Sequence, residues 1–392
     1  LTRLIEAGEQ TKSRYVRLAD RAAQLYVPVV HTLALTTFLV WLLVLDAGFR
    51  VAILNAAALL IITCPCALGL AAPAVQVVAT GALFRRGVLV KSGDALERLA
   101  EVAAVVFDKT GTLTFGKPRL ANRDAISIDA LTAAAELARI SRHPLSRAIV
   151  AEAGPGRAAA DAVETPGEGV AGTVDGVPCR LGKARFVGAV GKEDDAAQES
   201  WFAMGDGPPV RFVFEDRVRA DARETIRQLK DMGLAVEMLS GDRAAAARRI
   251  ADDLDLRGWS AELSPEAKTR RLEELRAEGV KVAMVGDGLN DAPALAAAHA
   301  SLSPGTAADA SQAAADFVYQ GEGLQPIVEA VAVARKARRR VLENFIFAAL
   351  YNACAMPLAA FGLVTPLIAA IAMSGSSLIV TLNALRLAGG RK

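Results

Sequence analysis

The chain has 392 residues, of which 53% are hydrophobic and 22% are charged, and its mean hydropathy is +0.30. This composition is too apolar for an ordinary soluble enzyme and too charged for a protein made only of membrane helices, so it predicts a mixed architecture. The net charge is +2, and no basic face stands out beyond short clusters beside the apolar runs, which excludes a nucleic-acid partner.

The chain begins with a polar amphipathic stretch, residues 1–25, that we predict to be a linker helix. It carries no signal-peptide pattern and does not start with methionine. We therefore expect this stretch to lead out of a domain encoded upstream.

Apolar runs of about 20 residues, the length that a helix needs to cross a bilayer, occur near both ends of the chain. Two lie within residues 26–90 and two within residues 335–392, which predicts four transmembrane helices in contact with lipid. Basic residues gather at one set of span ends, including Arg85, Arg86 and residues 335–340. This asymmetry predicts a multi-pass membrane protein with its long middle in the cytoplasm.

Three apolar runs in this middle are typical of strands buried on both faces of a parallel sheet. They are residues 102–108, 234–242 and 281–288. Ligand sites of such sheets lie beyond the carboxyl ends of the strands. The polar residues that end the runs are therefore expected to converge, namely Asp108, Ser240, Asp242 and Asp287.

An insertion separates the first of these strands from the second. Residues 120–215 contain a hairpin signal at Asp175-Gly176 and predict a separate α+β lobe. The surrounding α/β domain would then be built from two parts, residues 91–119 and 216–334.

The sequence FDKTGTLT, residues 107–114, places an aspartate at a strand end before small and hydroxyl residues. Asp108 is the candidate nucleophile for a phosphoryl group, whose charge Mg²⁺ can neutralise. Soluble phosphatases with a comparable loop place a second acid two residues later, whereas Thr110 stands here, after Lys109. An aspartyl phosphate should therefore be long-lived, which suits an energy-coupling machine. Further groups expected to contact the phosphoryl group, to bind Mg²⁺ or to close the site are Lys109, Ser240, Lys268, Asp287, Asn290 and Asp291.

The sequence CPC places Cys64 and Cys66 on either side of Pro65 inside a predicted span. Proline breaks the helix and lets both side chains point to a common site, and we expect both thiols to stay reduced and available as ligands. Thiolates are the ligands that soft cations prefer, and ionisable groups at membrane depth mark an ion path.

The last two spans decide between candidate ions. They contain no Asp, Glu, Lys or His, whereas a divalent Zn²⁺ would gain from a carboxylate in such a low-dielectric site. Cu⁺, with Ag⁺ as a second monovalent ion, is the expected cargo. Cys354 is expected to be a packed thiol and His31 a histidine at a span end. The candidate ligands in the last two spans are Tyr351, Asn352, Met373 and Ser376.

The sequences DKTGT and GDGLNDAP, together with the intramembrane CPC, resemble the heavy-metal-transporting branch of the P-type ATPases over essentially the whole chain. The resemblance implies a Rossmann-like phosphorylation domain of the haloacid dehalogenase type with an inserted nucleotide-binding domain. It implies ATP as cofactor, Asp108 as the phosphorylated residue, and Mg²⁺ held by Asp108, Thr110 and Asp287. The residues that it implies against the nucleotide are His143, Gly167, Gly169, Gly241 and Asp242.

The last two spans are also similar to those of copper pumps, in particular to the subgroup that supplies copper for assembly of cbb3-type cytochrome oxidase. A copper chaperone is then an expected partner, and a bacterial inner or cell membrane is the expected location. The sequence departs from the family pattern at Ser240, where threonine is usual, and at Arg142, where glutamate is usual.

Other readings stay open at this point. A Zn²⁺ or Cd²⁺ pump of the same family would respond to those ions, and a membrane-tethered phosphatase would hydrolyse small phosphate esters, although Thr110 argues against it. A non-catalytic copper-binding membrane protein would tolerate loss of Asp108.

The resemblance further implies an actuator domain whose Thr-Gly-Glu loop positions the hydrolytic water. No TGE sequence occurs in the 392 residues. The chain is therefore expected to accept phosphate from ATP, to release it slowly and not to sustain transport alone.

Overall fold

The computed structural model describes residues 14–189 and 198–387. The first half of the predicted linker helix, residues 1–13, lies outside the described residues. So do residues 190–197 of the predicted insertion and residues 388–392 at the end of the last predicted part.

Four helices of the described chain are long and apolar enough to cross a membrane, over Tyr26–Val44, Phe49–Phe84, Gln325–Ala360 and Pro366–Leu385. Large apolar side chains such as Leu43 and Val77 are more than 70% exposed on them, as expected for surfaces that face lipid. The prediction of four spans in a multi-pass membrane protein is confirmed.

The helical elements are α1 (Arg14–Leu39), continued by a π-helical turn (Val40–Val44), α2 (Phe49–Ile62), α3 (Cys66–Phe84), α4 (Ala95–Ala100), α5 (Ile128–Ala138), α6 (Pro144–Ala153), α7 (Ala184–Val187), α8 (Ala222–Asp231), α9 (Ala244–Asp253), α10 (Pro265–Ala277), α11 (Ala292–Ala297), α12 (Asp309–Ala314), α13 (Gln325–Ala360) and α14 (Pro366–Leu385).

The strands of the described residues form two sheets, one of seven strands and one of six. They are β1 (Val88–Val90), β2 (Ala104–Asp108), β3 (Thr114–Leu120), β4 (Val163–Thr165), β5 (Gly169–Val174), β6 (Val177–Gly182), β7 (Gln198–Met204), β8 (Val210–Val218), β9 (Ala235–Leu239), β10 (Gly258–Ser260), β11 (Val282–Val285), β12 (Ala300–Pro304) and β13 (Phe317–Tyr319).

The seven-stranded sheet has the order β1-β13-β12-β11-β2-β9-β10, and its pairs are parallel except for β1 with β13. Every residue of β2, β11 and β12 is buried, because helices cover both faces. The three apolar runs predicted as buried strands are β2, β9 and β11, and they lie side by side. Their carboxyl ends therefore meet at one edge.

The six-stranded sheet is antiparallel in the order β3-β8-β7-β6-β5-β4. The predicted hairpin turn lies between β5 and β6, where Asp175 and Gly176 both have positive φ. Helices α5 and α6 pack on this sheet through Leu131, Leu137 and Ile149. The predicted domain boundaries at 119/120 and 215/216 fall inside β3 and β8, the two strands that join the lobes.

Helix α13 belongs to both the cytoplasmic and the membrane parts of the protein. Its first turns pack into the core of the seven-stranded sheet through Ile327, Val331 and Ala334. The helix then continues without a break to Ala360, a length of about 54 Å at 1.5 Å per residue. One rigid element thus runs from the sheet domain into the spans.

Candidate functional site

The loop that follows β2 is shaped by a glycine. Asp108 ends β2 and is buried, and the chain then turns through Gly111, whose φ is +74°. A Cβ at Gly111 would lie 1.8 Å from Oδ2 of Asp287. Only a residue without a side chain allows the loop to approach the carboxylate after β11 so closely. The DKTGT sequence therefore brings Asp108 and Asp287 to one site.

Three carboxylates and one ammonium form the centre of this site. Ligand oxygens of Asp108, Asp287 and Asp291 all lie within 4.8 Å of one another. Nζ of Lys268 lies 2.5 Å from Oδ1 of Asp108 and 2.8 Å from Oδ1 of Asp291. Lys268 comes from α10, which begins at Pro265 behind a Ser264 side chain that accepts a hydrogen bond from Ala267 N. The convergence of Asp108, Lys268, Asp287 and Asp291 agrees with the sequence prediction.

The crowding of charge shifts the pKa values of the group. Burial and the neighbouring Asp291 raise the pKa of Asp108 to about 7, against the opposing effect of Lys268. Burial and Asp291 also raise the pKa of Asp287 to about 6. Burial alone would lower the pKa of Lys268, but the carboxylates of Asp108 and Asp291 outweigh it and raise this pKa. The single positive charge of Lys268 thus does not balance the three neighbouring carboxylates.

The donor set fits Mg²⁺. It offers clustered carboxylate oxygens, the ligands that a hard divalent cation prefers. Asp291 has both oxygens engaged, one with Lys268 and the other with Gly288 N at 3.2 Å. Asp108 and Asp287 therefore keep the oxygens available to a cation. Thr110, the third predicted ligand, is exposed on the same loop.

Lys109 and Asp242 form an ion pair that the sequence did not predict. Lys109 was expected near the phosphoryl group and Asp242 near the nucleotide. In the structure Lys109 is buried, and its Nζ lies 2.5 Å from Oδ2 of Asp242 and 3.9 Å from Asp216. Asp216 also accepts a hydrogen bond from Thr114 Oγ1 at 2.5 Å. Lys109 therefore ties the loop after β2 to the loop after β9.

The remaining predicted residues of this site lie at its edge. Ser240 is fully buried at the end of β9, and its hydroxyl accepts a hydrogen bond from Asp242 N at 3.1 Å. Gly241 and Asn290 are exposed on the loops that follow β9 and β11. The serine thus shapes its own loop, while the other two border the opening.

Arg219 is the main residue of this site that the sequence did not reveal. It lies one residue after β8, is 6% exposed, and donates to Thr112 O and Gly111 O at 2.7 Å each. The segment FEDRVRADARE contains three arginines and four acids. Nothing in such a charged segment distinguishes a buried arginine from its exposed neighbours.

The predicted nucleotide residues lie in the lobe of the six-stranded sheet. His143 is exposed at the start of α6, and its Nδ1 accepts a hydrogen bond from Leu145 N at 3.3 Å. Gly167 is exposed in the turn before β5, with a φ of +77°. The Ser141 hydroxyl donates to Glu164 at 2.6 Å and so connects the loop before α6 to β4. His143 therefore has a capping role that does not depend on nucleotide.

Gly169 has a packing role as well. It pairs with Gly182 across β5 and β6, and a Cβ on Gly169 would lie 2.2 Å from Leu181 O. Gly169→Ala is expected to lower the free energy of unfolding of this lobe by about 1–3 kcal/mol, because the strands must separate. Gly188→Ala is the control for backbone strain without a clash, since Gly188 has a φ of +78° but its Cβ would meet nothing within 4 Å, so its loss should be smaller. Thermal unfolding of both variants checks the prediction, and equal losses would contradict it.

The cysteines of the membrane site correct one expectation. Cys64 and Cys66 were predicted to be reduced thiols, but the structure joins their sulfurs in a disulfide. The helix break explains the pairing: α2 ends at Ile62, α3 begins at Cys66, and the Cα atoms are 5.4 Å apart. The prediction that Pro65 turns both sulfurs toward one point agrees with this geometry, whereas the predicted free thiols do not.

The other candidate ligands lie on α13 and α14. The hydroxyl of Tyr351 and Oδ1 of Asn352 are buried without a hydrogen-bond partner among the described residues. Ser376 is buried, and its hydroxyl donates to Met373 O at 2.7 Å. Orphaned polar atoms at membrane depth are costly unless something binds them. Tyr351 and Asn352 are thus the residues of this group with unused ligand capacity.

Three further span residues complete the comparison with the sequence. Asn344 is buried and donates to Ala71 O at 3.2 Å, and so connects α13 with α3. His31 is exposed, with Nδ1 2.7 Å from Val27 O in its own helix. Cys354, expected to be packed, is exposed on α13. The prediction of a packed thiol is therefore wrong, because the Cys354 side chain is exposed rather than buried against neighbouring helices.

Comparison with known proteins agrees with this architecture. Residues 102–299 match the haloacid dehalogenase-like hydrolase family. The nitrogen fixation protein FixI of Bradyrhizobium diazoefficiens is 47% identical over 98% of this chain and 53% of its own length. A copper-exporting P-type ATPase of Legionella pneumophila is 36% identical over 99% of the chain and 56% of its own length. The chain thus spans about half the length of these curated relatives.

The solved structures give the same answer. The crystal structure of a zinc-transporting PIB-type ATPase in its E2.Pi state matches with a TM-score of 0.82 and 32% identity, over 98% of this chain and 66% of that one. The chain therefore belongs to the haloacid dehalogenase-like hydrolases. Within that class it is a member of the PIB-type, heavy-metal branch of the P-type ATPases.

Proposed function

We propose that this chain carries the phosphorylation site and the ion path of a pump that uses ATP to move Cu⁺ across a membrane. The observation that supports this most directly is the buried Asp108 at the end of β2, with Lys268 at 2.5 Å and Asp287 within the same carboxylate cluster. A P-type ATPase needs such an aspartate, and a plain copper-binding protein has no use for it. Labelling of Asp108 from γ-labelled ATP is the test.

The proposed step is a phosphoryl transfer. An oxygen of Asp108 attacks the γ-phosphorus of ATP, the bond between that phosphorus and the β,γ-bridging oxygen breaks, and ADP leaves with the electron pair. Lys268 holds the attacking carboxylate in place and offsets the charge of the incoming phosphate. Mg²⁺, held by Asp108 and Asp287, would supply further neutralisation of that charge. Thr110 is proposed to contact the phosphate from its exposed position on the loop.

The domain division is part of the proposal. Residues 91–119 and 216–334 form the phosphorylation domain, residues 120–215 form the nucleotide-binding domain, and residues 26–90 and 335–392 form the spans. The gap between Gly167 and His143 in the six-stranded lobe is proposed to receive adenine. Gly241 and Asn290, which border the opening of the phosphorylation site, are proposed to approach the nucleotide phosphates and to close the site.

Lys268→Met is expected to slow phosphoenzyme formation by about 10²–10³-fold, the usual cost of one positioned charge donor. The variant leaves Asp108 and Asp291 facing each other without a cation, which raises the pKa of Asp108 further. The rate of label incorporation from γ-labelled ATP measures the effect. Lys230→Met is the control, because its ion pair with Asp255 is on the surface. A rate within a few-fold of the parent chain would contradict the role given to Lys268.

Cu⁺ is proposed as the cargo because the ligand set lacks a carboxylate. Once the disulfide between Cys64 and Cys66 is reduced, these two residues supply thiolates. Tyr351, Asn352, Met373 and Ser376 supply thioether and neutral oxygen donors, and the whole set suits a soft monovalent ion. The curated relatives include a copper-exporting enzyme, whereas the matching crystal structure is zinc-transporting. Zn²⁺ is therefore the second candidate, favoured only by that neighbour, and a copper chaperone is the proposed donor of the ion.

A further inference from the structure

Arg219 connects the loop after Asp108 to the start of α13. Its guanidinium donates to Gly111 O and Thr112 O at 2.7 Å each, and through Nη1 to the carbonyl of Glu322, in the turn just before α13. The acceptors belong to segments more than 100 residues apart in sequence. One planar, always charged group thus holds both segments at fixed distances.

The surroundings fix Arg219 in this position. Its backbone N–H donates to Leu113 O at 2.9 Å, and its guanidinium lies 5.0 Å from the ring centre of Phe115. Since Arg219 is 6% exposed, moving it away from its carbonyl partners would leave a buried charge without hydrogen bonds. A displacement of either segment must therefore displace Arg219 or strain its bonds.

Asp221 holds the same end of α13 from the other side. Its Oδ2 accepts hydrogen bonds from Leu324 N at 2.6 Å and Gln325 N at 3.1 Å. A Cβ on Gly323 would lie 2.7 Å from this oxygen, so the turn fits closely around the carboxylate. A carboxylate at this position accepts hydrogen bonds from the free N–H groups at the helix start, and its negative charge interacts favourably with the positive end of the helix dipole. Arg219 and Asp221 together clamp residues 322–325.

We propose that Arg219 and Asp221 are positioning residues that transmit the state of Asp108 to the membrane spans through α13. The inference rests on the proposed function, because it needs a phosphoryl group at Asp108 to change the loop. Residues 109–113 are the nearest backbone to that group, and α13 carries Tyr351 and Asn352 at membrane depth. A shift of the loop is passed by the guanidinium to residue 322, and the Asp221 cap makes the first turn of α13 follow.

Hydrogen–deuterium exchange on the full chain tests this link. Mg²⁺ with beryllium fluoride serves as the probe for phosphate at Asp108. In the parent chain the probe should slow exchange at residues 109–113 and, at least about fivefold, at residues 322–326. In Arg219→Lys, which keeps the charge but cannot reach all three carbonyls, the loop should stay protected and the helix start should not. Asp221→Ala should behave like Arg219→Lys, and Asp221→Asn should restore part of the effect through its amide oxygen.

The outcomes are distinct. Asp252→Ala, which removes a surface acid paired with Arg248, is the matched control and should keep both protections. If the probe protects neither segment in the parent chain, the proposed function fails and the link fails with it. If the probe protects the loop but not residues 322–326 in the parent chain, the link alone is overturned. The link is also overturned if the probe protects both segments as strongly in Arg219→Lys as in the parent chain. A merely structural role would instead raise exchange at residues 322–326 without the probe and leave the probe's fold-effect unchanged.

Discussion

Replacement of Asp108 by asparagine is expected to abolish phosphoenzyme formation from ATP, by at least about 10⁴-fold, while nucleotide binding is retained. The amide has nearly the same shape as the carboxylate but no charged oxygen to attack phosphorus. Lys268 keeps its second partner, Asp291, at 2.8 Å, so the site is expected to stay assembled. The residues proposed to contact adenine, His143 and Gly167, lie in the other lobe and are untouched by the change.

The measurement is the acid-stable, hydroxylamine-labile label that γ-labelled ATP leaves on the chain, together with nucleotide affinity by calorimetry. Asp252→Asn is the control, since Asp252 is exposed and its ion pair with Arg248 lies on the surface. Label at the parent level in Asp108→Asn would remove the aspartate from the mechanism and would favour the reading of a copper-binding protein without ATP chemistry. If the variant loses both nucleotide binding and label, the substitution has damaged the fold.

The sequence was sufficient to predict the frame that holds this site. Apolar runs ending in Asp108, Asp242 and Asp287 predicted parallel strands, and β2, β9 and β11 are adjacent in the sheet. The turn at Asp175-Gly176 was predictable because only a few residues accept positive φ at both positions. The turn is a local signal in the sequence, and the convergence of the strand ends follows from a general rule about parallel sheets. Both can therefore be predicted without knowledge of tertiary packing.

The partners of the charged side chains could not be predicted in the same way. Lys268 and Asp108 are 160 residues apart, and although both were expected at the phosphoryl group, no local pattern predicts that their side chains form an ion pair. The pair of Lys109 with Asp242 and the three carbonyl contacts of Arg219 follow no spacing rule. They depend on how loops from separate strands pack at the sheet edge. The disulfide was missed for a related reason, because the helix break was predictable but the approach of two sulfurs was not.

Substitution of both Cys64 and Cys66 by serine is expected to remove high-affinity Cu⁺ binding by the spans and the stimulation of phosphorylation by Cu⁺. A hydroxyl at neutral pH is neither anionic nor soft, so the two strongest donors of the site are lost. The remaining candidates, including Tyr351 and Met373, supply neutral donors only. Loss of a residue that only hydrogen-bonds to a metal ligand weakens metal binding by about 10–100-fold. Loss of both cysteines should therefore weaken Cu⁺ binding by more than this.

The assay must be run with the pair reduced, because sulfurs joined in a disulfide carry no thiolate to bind the ion. Cys354→Ser is the matched control: it makes the same change of sulfur to oxygen on a membrane helix, but at an exposed position outside the CPC break. The control should bind and respond like the parent chain. A parent chain that binds Cu⁺ equally well after both serine substitutions would move the metal site away from Pro65.

The same variants separate the two candidate ions. In the reduced parent chain, Cu⁺ and Ag⁺ should stimulate labelling of Asp108 more than Zn²⁺ does, because α13 and α14 offer no carboxylate within the membrane to balance a second positive charge. The double serine variant should lose the response to both monovalent ions together, since both depend on the same thiolates. Equal stimulation by Zn²⁺ in the parent chain would reject the monovalent assignment and would make the zinc-transporting structural neighbour the better guide to the cargo.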